Sequence, residues 1–220
     1  MRARIAILAL LATILTWLAL SAAGQQVVDR IIARVDDDIL TLSELRELER
    51  FQRLVEGQAA DEEALLRQLL EQWIVENEAA ATRFPRPAAE RVEQELARLA
   101  GKFGSPEEYR ARLAEVGLTE SAVRRLLERQ LYLGAFLDYR FRPAVSIEDA
   151  EIESYYRSEL VPRLAAERRE PPPLSQVAEQ IRELLVEREI SARAAEWLEE
   201  SRARLRVEYV GPRPGEERRP

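Results

Sequence analysis

The sequence predicts a mainly α-helical domain closed by a small antiparallel sheet that its N- and C-terminal strands form together. Three observations predict it. Apolar residues recur at 3.6-residue spacing between capping and stop signals through most of the chain. β-Branched, partly alternating runs stand only near the two ends, at 27–35 and 206–210. Eight glycines in 220 residues are too few for the many tight turns of a β-rich fold. Short strands are not stable as isolated ribbons, so the C-terminal strand is expected to join the first one and bring the last helix back onto the N-terminal helices.

In chain order, Val27 to Val35 reads as a strand, Asp36-Asp37-Asp38 as an acidic turn, and Ile39-Leu40 as a second short strand. The three aspartates fit a turn better than a cation site, because a calcium loop needs its oxygens spaced more widely. Ser43 is the expected cap of a helix carrying Leu45, Leu48, Phe51 and Leu54, with Gly57 as its stop. A second helix starts near Asp61 and carries Leu65, Leu66, Leu69, Leu70, Trp73 and Ile74 until Phe84-Pro85. Pro87 suits the first position of a third, with Val92, Leu96 and Leu99 on one face and Gly101 at its end. Ser105-Pro106-Glu107-Glu108 reads as a capping box opening a short helix that buries Tyr109 and Leu113 and stops at Gly117. Thr119 caps a longer helix whose apolar side is Val123, Leu126, Leu127, Leu131, Ala135 and Phe136. Ser146 opens the next, with Ile152, Tyr155 and Tyr156. From Leu160 to Pro173 the periodicity fails, and the stretch 161–174 reads as a proline-rich linker. A long helix capped by Ser175 follows, with Val177, Ile181, Leu184, Leu185, Ile190, Ala194, Trp197, Leu198 and Leu205 as its stripe. Trp73 and Trp197 are both expected in the core. Residues 211–220 form a polar tail expected to be disordered.

Residues 1–23 have a different character. Arg2 and Arg4, an apolar run from Ile5 to Leu20, and the small-residue exit Ser21-Ala22-Ala23 follow the plan of a secretory signal peptide cleaved before Gly24. An uncleaved inner-membrane anchor is the alternative, since the run approaches the length that spans a bilayer. The expected location is the periplasm, with membrane contact only if the segment stays attached. A chain without cysteine suits a compartment that oxidises thiols.

Composition removes most familiar chemistry. With no histidine and no cysteine there is no Ser-His-Asp or Cys-His site, no thiol redox pair and no usual zinc site. A net charge of −7, and −9 without the leader, makes nucleic acid an unsuitable partner. No P-loop occurs. No cofactor and no metal is expected.

The order of these elements resembles the SurA family of periplasmic chaperones. Val28 to Asp36 is similar to that family's first strand. Trp73 to Asn77, Ser105 to Tyr109, Leu113 to Thr119, Ser146 to Ile152 and Tyr155-Tyr156 follow as in its N-terminal domain, here 24–160, and Ala195 to Val210 is similar to the returning C-terminal segment, here within 175–210. The resemblance implies a parvulin-type prolyl isomerase domain of about a hundred residues after the double tyrosine, which Tyr156 and Ser175, separated by 18 residues, leave no room for. It therefore implies an ATP-independent chaperone that holds unfolded polypeptides, including outer-membrane protein precursors, and no isomerase activity. A dedicated partner-binding scaffold of the envelope is the alternative. Peptide contacts are expected among aromatics: Tyr132, Phe136 and Tyr139 at i, i+4 and i+7 of one helix, with Tyr109, Phe141, Tyr155 and Tyr156 as further candidates. The same spacing also suits a buried stripe, so core and client contact both stand open at this point. A sheet edge could add backbone hydrogen bonds to an extended peptide.

Overall fold

The computed structural model describes residues 29–210. The leader at 1–23, the start of the first strand at Val27-Val28 and the tail at 211–220 lie outside the described residues. Strand β1 (Ile31–Val35) pairs antiparallel with β2 (Asp38–Thr41), and β3 (Val207–Tyr209) pairs antiparallel on the other side of β1, giving the order β2-β1-β3. Ala33 faces Tyr209 and Val35 faces Val207, so the two ends of the described chain do meet in one sheet. Ala33 and Val35 lie fully buried in that central strand. Asp36 makes the turn at φ 50, a left-handed conformation that aspartate tolerates. It also ties the ends together: its N–H donates to the Arg206 carbonyl at 3.0 Å, and its carboxylate accepts from the Arg206 N–H at 3.1 Å.

Local chemistry sets the helix boundaries. α1 (Leu42–Glu56) is capped by Thr41 instead of Ser43, because β2 delivers Thr41 in extended geometry; its hydroxyl accepts from the Glu44 N–H while the Glu44 carboxylate accepts from the Thr41 N–H at 2.8 Å. Gly57 ends it at φ 80. Asp61 caps α2 (Glu62–Ala81). α3 (Ala89–Ala100) starts two residues after Pro87, with Ala88 at the cap and no side-chain bond. α4 (Pro106–Val116) has Ser105 as its cap, Pro106 at its start and Gly117 in the left-handed region at its end. Thr119 caps α5 (Glu120–Phe141), which passes into a short 3-10 turn at Arg142–Ala144.

The next segment corrects the expected linker. α6 (Asp149–Tyr155) opens on a box between Glu148 and Glu151, not on Ser146. The chain then passes through a π turn at Tyr156–Leu160 into α7 (Val161–Ala166), so helix persists past Leu160. Pro162 does not break it, because it falls in the first turn of α7, where the missing N–H costs little. Only the stretch through Pro171-Pro172-Pro173 is non-helical, and α8 (Leu174–Arg204) follows directly, with Ser175 inside its first turn.

Two bodies of packing result. Leu45, Leu48, Leu65, Leu66, Leu69, Leu70 and Ile74 pack under the sheet; Phe51, Leu54, Leu96, Leu99, Leu113 and Leu127 join α1, α3, α4 and α5; Val75, Ala79, Tyr132 and Phe136 join α2 to α5. A separate cluster of Ile152, Tyr155 and Ile181 joins α6 to the N-terminal half of α8. The 31 residues of α8 reach about 46 Å, and its C-terminal half returns Trp197 and Leu198 to the first body. Trp73 and Trp197 sit at the margin of this core instead of inside it. Both are half-buried, and the Trp73 indole N–H finds its acceptor in the Asp38 carboxylate at 3.1 Å.

Candidate functional site

The aromatic stripe of α5 divides along its length. Tyr132 and Phe136 are 2% and 1% exposed, whereas Tyr139 is 65% exposed. All three fall on one face of the helix, but the cover over that face ends between Phe136 and Tyr139, so the face that is covered at one turn is open at the next. Tyr132 and Phe136 are thus core residues in this conformation. Tyr109 and Tyr155 are equally buried, and Phe141 and Tyr156 are half-buried.

These candidates occupy three places. Tyr109 lies in the α4 cluster against Phe103, with ring centroids 5.5 Å apart. Tyr155 and Tyr156 belong to the α6–α8 cluster, where the Tyr156 hydroxyl donates to the Pro172 carbonyl at 2.8 Å. Only the end of α5 gathers aromatics at the surface, and it does so through residues that periodicity does not mark. Phe84, in the connection between α2 and α3, meets Tyr132 at 5.8 Å, Phe136 at 5.5 Å edge-on and Tyr139 at 5.3 Å. The Tyr132 hydroxyl donates to the Phe84 carbonyl at 3.3 Å and holds that connection down. The Arg86 guanidinium lies 4.2 Å from the Tyr132 ring centroid, a cation–π contact. Beside them, Phe141 and Trp197 are 6.0 Å apart, with Arg140 4.7 Å over the Trp197 ring.

The charges here are uneven. Arg129 pairs with Glu76, Arg140 with Glu78, and Arg142 with both Asp138 and Glu183. The last contact holds the Glu183 carboxyl below the usual carboxylate range, through its hydrogen bonds to Arg142. Among the described residues, Arg83 and Arg86 have no carboxylate partner. The sequence signal that could have found this place is Thr82-Arg83-Phe84-Pro85-Arg86-Pro87, within a stretch that has no acid between Glu78 and Glu90.

A concavity of about 450 Å³ lies between α3, α4 and the start of α5, floored by Leu96, Ala97, Phe103, Pro106 and Tyr109. The Tyr109 hydroxyl is buried there without a hydrogen-bond partner, and burial pushes its pKa up. Glu93 and Glu120, both at the rim, are bridged by Arg124. Among the described residues no group of three acidic side chains is placed to hold a metal ion, and no helix is long and apolar enough to cross a membrane. No protein-family model and no curated protein matches this chain. Exposed Tyr139, tilted against half-buried Phe84 and with Arg86 over the adjoining Tyr132 ring, suits contact with side chains of another polypeptide.

Proposed function

We propose that the chain is an ATP-independent periplasmic chaperone that holds unfolded envelope proteins, outer-membrane precursors among them, and that it is built like the N-terminal domain of SurA-family chaperones without their isomerase domain. The observation that carries the reading is the exposed Tyr139 at the end of α5, its ring tilted against half-buried Phe84. An apolar, aromatic surface left open on a folded body is where such a protein would take hold of apolar segments. The closure of the domain by β1 and β3 supports the architectural part. The stretch between Tyr156 and Leu174 supports the missing enzyme, because it is filled by a π turn, α7 and a proline-rich loop. The leader composition supports export. Release is governed by affinity alone, as clients fold or pass to another acceptor.

The test is light scattering as a urea-unfolded outer-membrane porin is diluted into purified residues 24–220 without ATP. Suppression near stoichiometric amounts is expected, weakened by Tyr139→Ala while the melting temperature stays unchanged. No suppression across several clients sinks general holding and leaves a dedicated partner-binding scaffold. A proline-limited refolding assay is expected to show no acceleration.

A further inference from the structure

The α2–α3 connection places two arginines, Arg83 and Arg86, that have no carboxylate partner among the described residues, on a chain of net charge −7. Arg83 closes α2 in a Schellman motif: its N–H donates to the Ala80 carbonyl at 3.0 Å and the Phe84 N–H to the Ala79 carbonyl at 2.9 Å. Its φ is 55, in the region where glycine is the least costly residue. α4 ends with glycine in the equivalent role, Gly117 at φ 71, with the Leu118 N–H donating to the Leu113 carbonyl. Arginine at 83 is thus a choice that backbone stability disfavours. The dipole of α2 favours a cation at its C-terminus, which accounts for charge at 83 but not for a second arginine three residues on. Arg86 is fixed over Tyr132, and the neighbouring arginines of α5 are each matched by a carboxylate.

We infer that Arg83, Arg86, Phe84 and Tyr139 form a site for an extended polypeptide segment in which aromatic side chains stand next to carboxylates. The client ring stacks on the Phe84–Tyr139 pair, and its flanking carboxylates meet the two guanidinium groups, which offer paired donors to a planar anion. The inference rests on the polypeptide-binding reading and adds a charge preference to it. That preference opposes the one set by net charge, which repels acidic peptides. At physiological salt the repulsion is screened beyond about 8 Å while contact pairs survive, so the local arginines decide.

The experiment uses purified residues 24–220 and three ten-residue glycine–serine peptides bearing an uncharged dye, followed by fluorescence anisotropy. One carries two phenylalanines among three aspartates, one two phenylalanines among three lysines, and one three aspartates without an aromatic. The first is expected to bind about tenfold more tightly than either of the others. Arg83→Gly removes one charge while relieving the positive φ, so it is expected to melt at or above the wild-type temperature and still bind the aspartate–phenylalanine peptide several-fold more weakly. Arg83→Glu with Arg86→Glu is expected to invert the ranking of the first two peptides. Equal binding of these two by the wild type, or a ranking that survives the double reversal, overturns the inference. Porin scattering on the same preparation separates the two ideas. Holding without the peptide ranking sinks the charge preference alone, and the ranking without holding upholds the site while sinking general chaperoning.

Discussion

The body formed by the sheet and α1 to α5 and the arm formed by α6, α7 and the first half of α8 are held together by different means. In the body, three clusters of aliphatic and aromatic side chains are buried almost completely, and most of its ion pairs lie on the outside. The arm's cluster buries Ile152, Tyr155 and Ile181 deeply, surrounds them with side chains that are only partly covered, such as Leu160, Val177 and Leu184, and adds arginine ties. Arg182 donates to the Ile147 carbonyl and pairs with Asp149; Arg188 pairs with Glu159 and covers the Tyr155 ring; Arg142 bridges Asp138 of α5 to Glu183 of α8. Exposed ion pairs of this kind stabilise weakly compared with apolar burial. The arm is therefore the part expected to open first, without unfolding the body.

Four measurements break or sharpen that contrast. Phe136→Ala should cost ~3–5 kcal/mol in denaturant unfolding, because a fully buried ring is removed where α2 and α5 meet; a loss below about 1 kcal/mol would mean the body is not a close-packed unit. Ile181→Ala should cost ~2–3 kcal/mol, since the partly covered side chains around it can collapse into the gap. Its signature is faster hydrogen exchange in α6 and the start of α8 with α1 to α5 still protected, and equal acceleration throughout would merge the two regions into one cooperative unit. Gly117→Ala should cost about 1 kcal/mol. The cause is its φ of 71 and not crowding, because a Cβ there would meet the Arg50 side chain only at 3.9 Å, and Arg83→Gly, at the matching position of α2, should shift the melting temperature in the opposite direction. The smallest effect is the latch between body and arm. Arg142 lowers the folded-state pKa of Glu183, so the stabilisation is present above the ordinary carboxylate range, near 4.3, and is lost as pH falls through the lowered folded value. Exchange in α8 around Glu183 is expected to quicken across that acidic window before the body responds. Arg142→Ala should remove this pH step, and a step that persists would place its origin elsewhere.

The body was far more legible in the sequence than the arm. Leu45, Leu48, Phe51 and Leu54, or Leu65 through Ile74, announce both a helix and the face it buries, and Asp61, Ser105 and Thr119 mark helix starts that the structure keeps. Errors arose where one signal competed with another. Ser43 is a good cap, but the extended Thr41 reaches Glu44 first. Pro87 suits a helix start but stands before one, and Pro162 suits a break but occupies a first turn. A π turn at Tyr156–Leu160 shifts the register by one residue, which hides the helix at 161–166 from a 3.6-residue pattern. At the site, periodicity placed Tyr132, Phe136 and Tyr139 on one face but carried no information on where the opposing wall ends. Phe84, Arg83 and Arg86 lie in a connection with no periodicity, and the contacts of Phe84 with Tyr139 and of Arg86 with Tyr132 are tertiary facts.

The bond from the Arg206 N–H to the carboxylate of Asp36 joins residues 170 apart, and β1 gains its second neighbour only through that return. At roughly 5–20 residues per second of synthesis, the interval between the appearance of β1 and that of β3 is about 10–30 s. For that time the growing chain carries β1 with one side of its backbone unmatched. The moment at which the domain can finish folding is accordingly set by the delivery of its last strand, and any delay in delivery lengthens the life of an open edge.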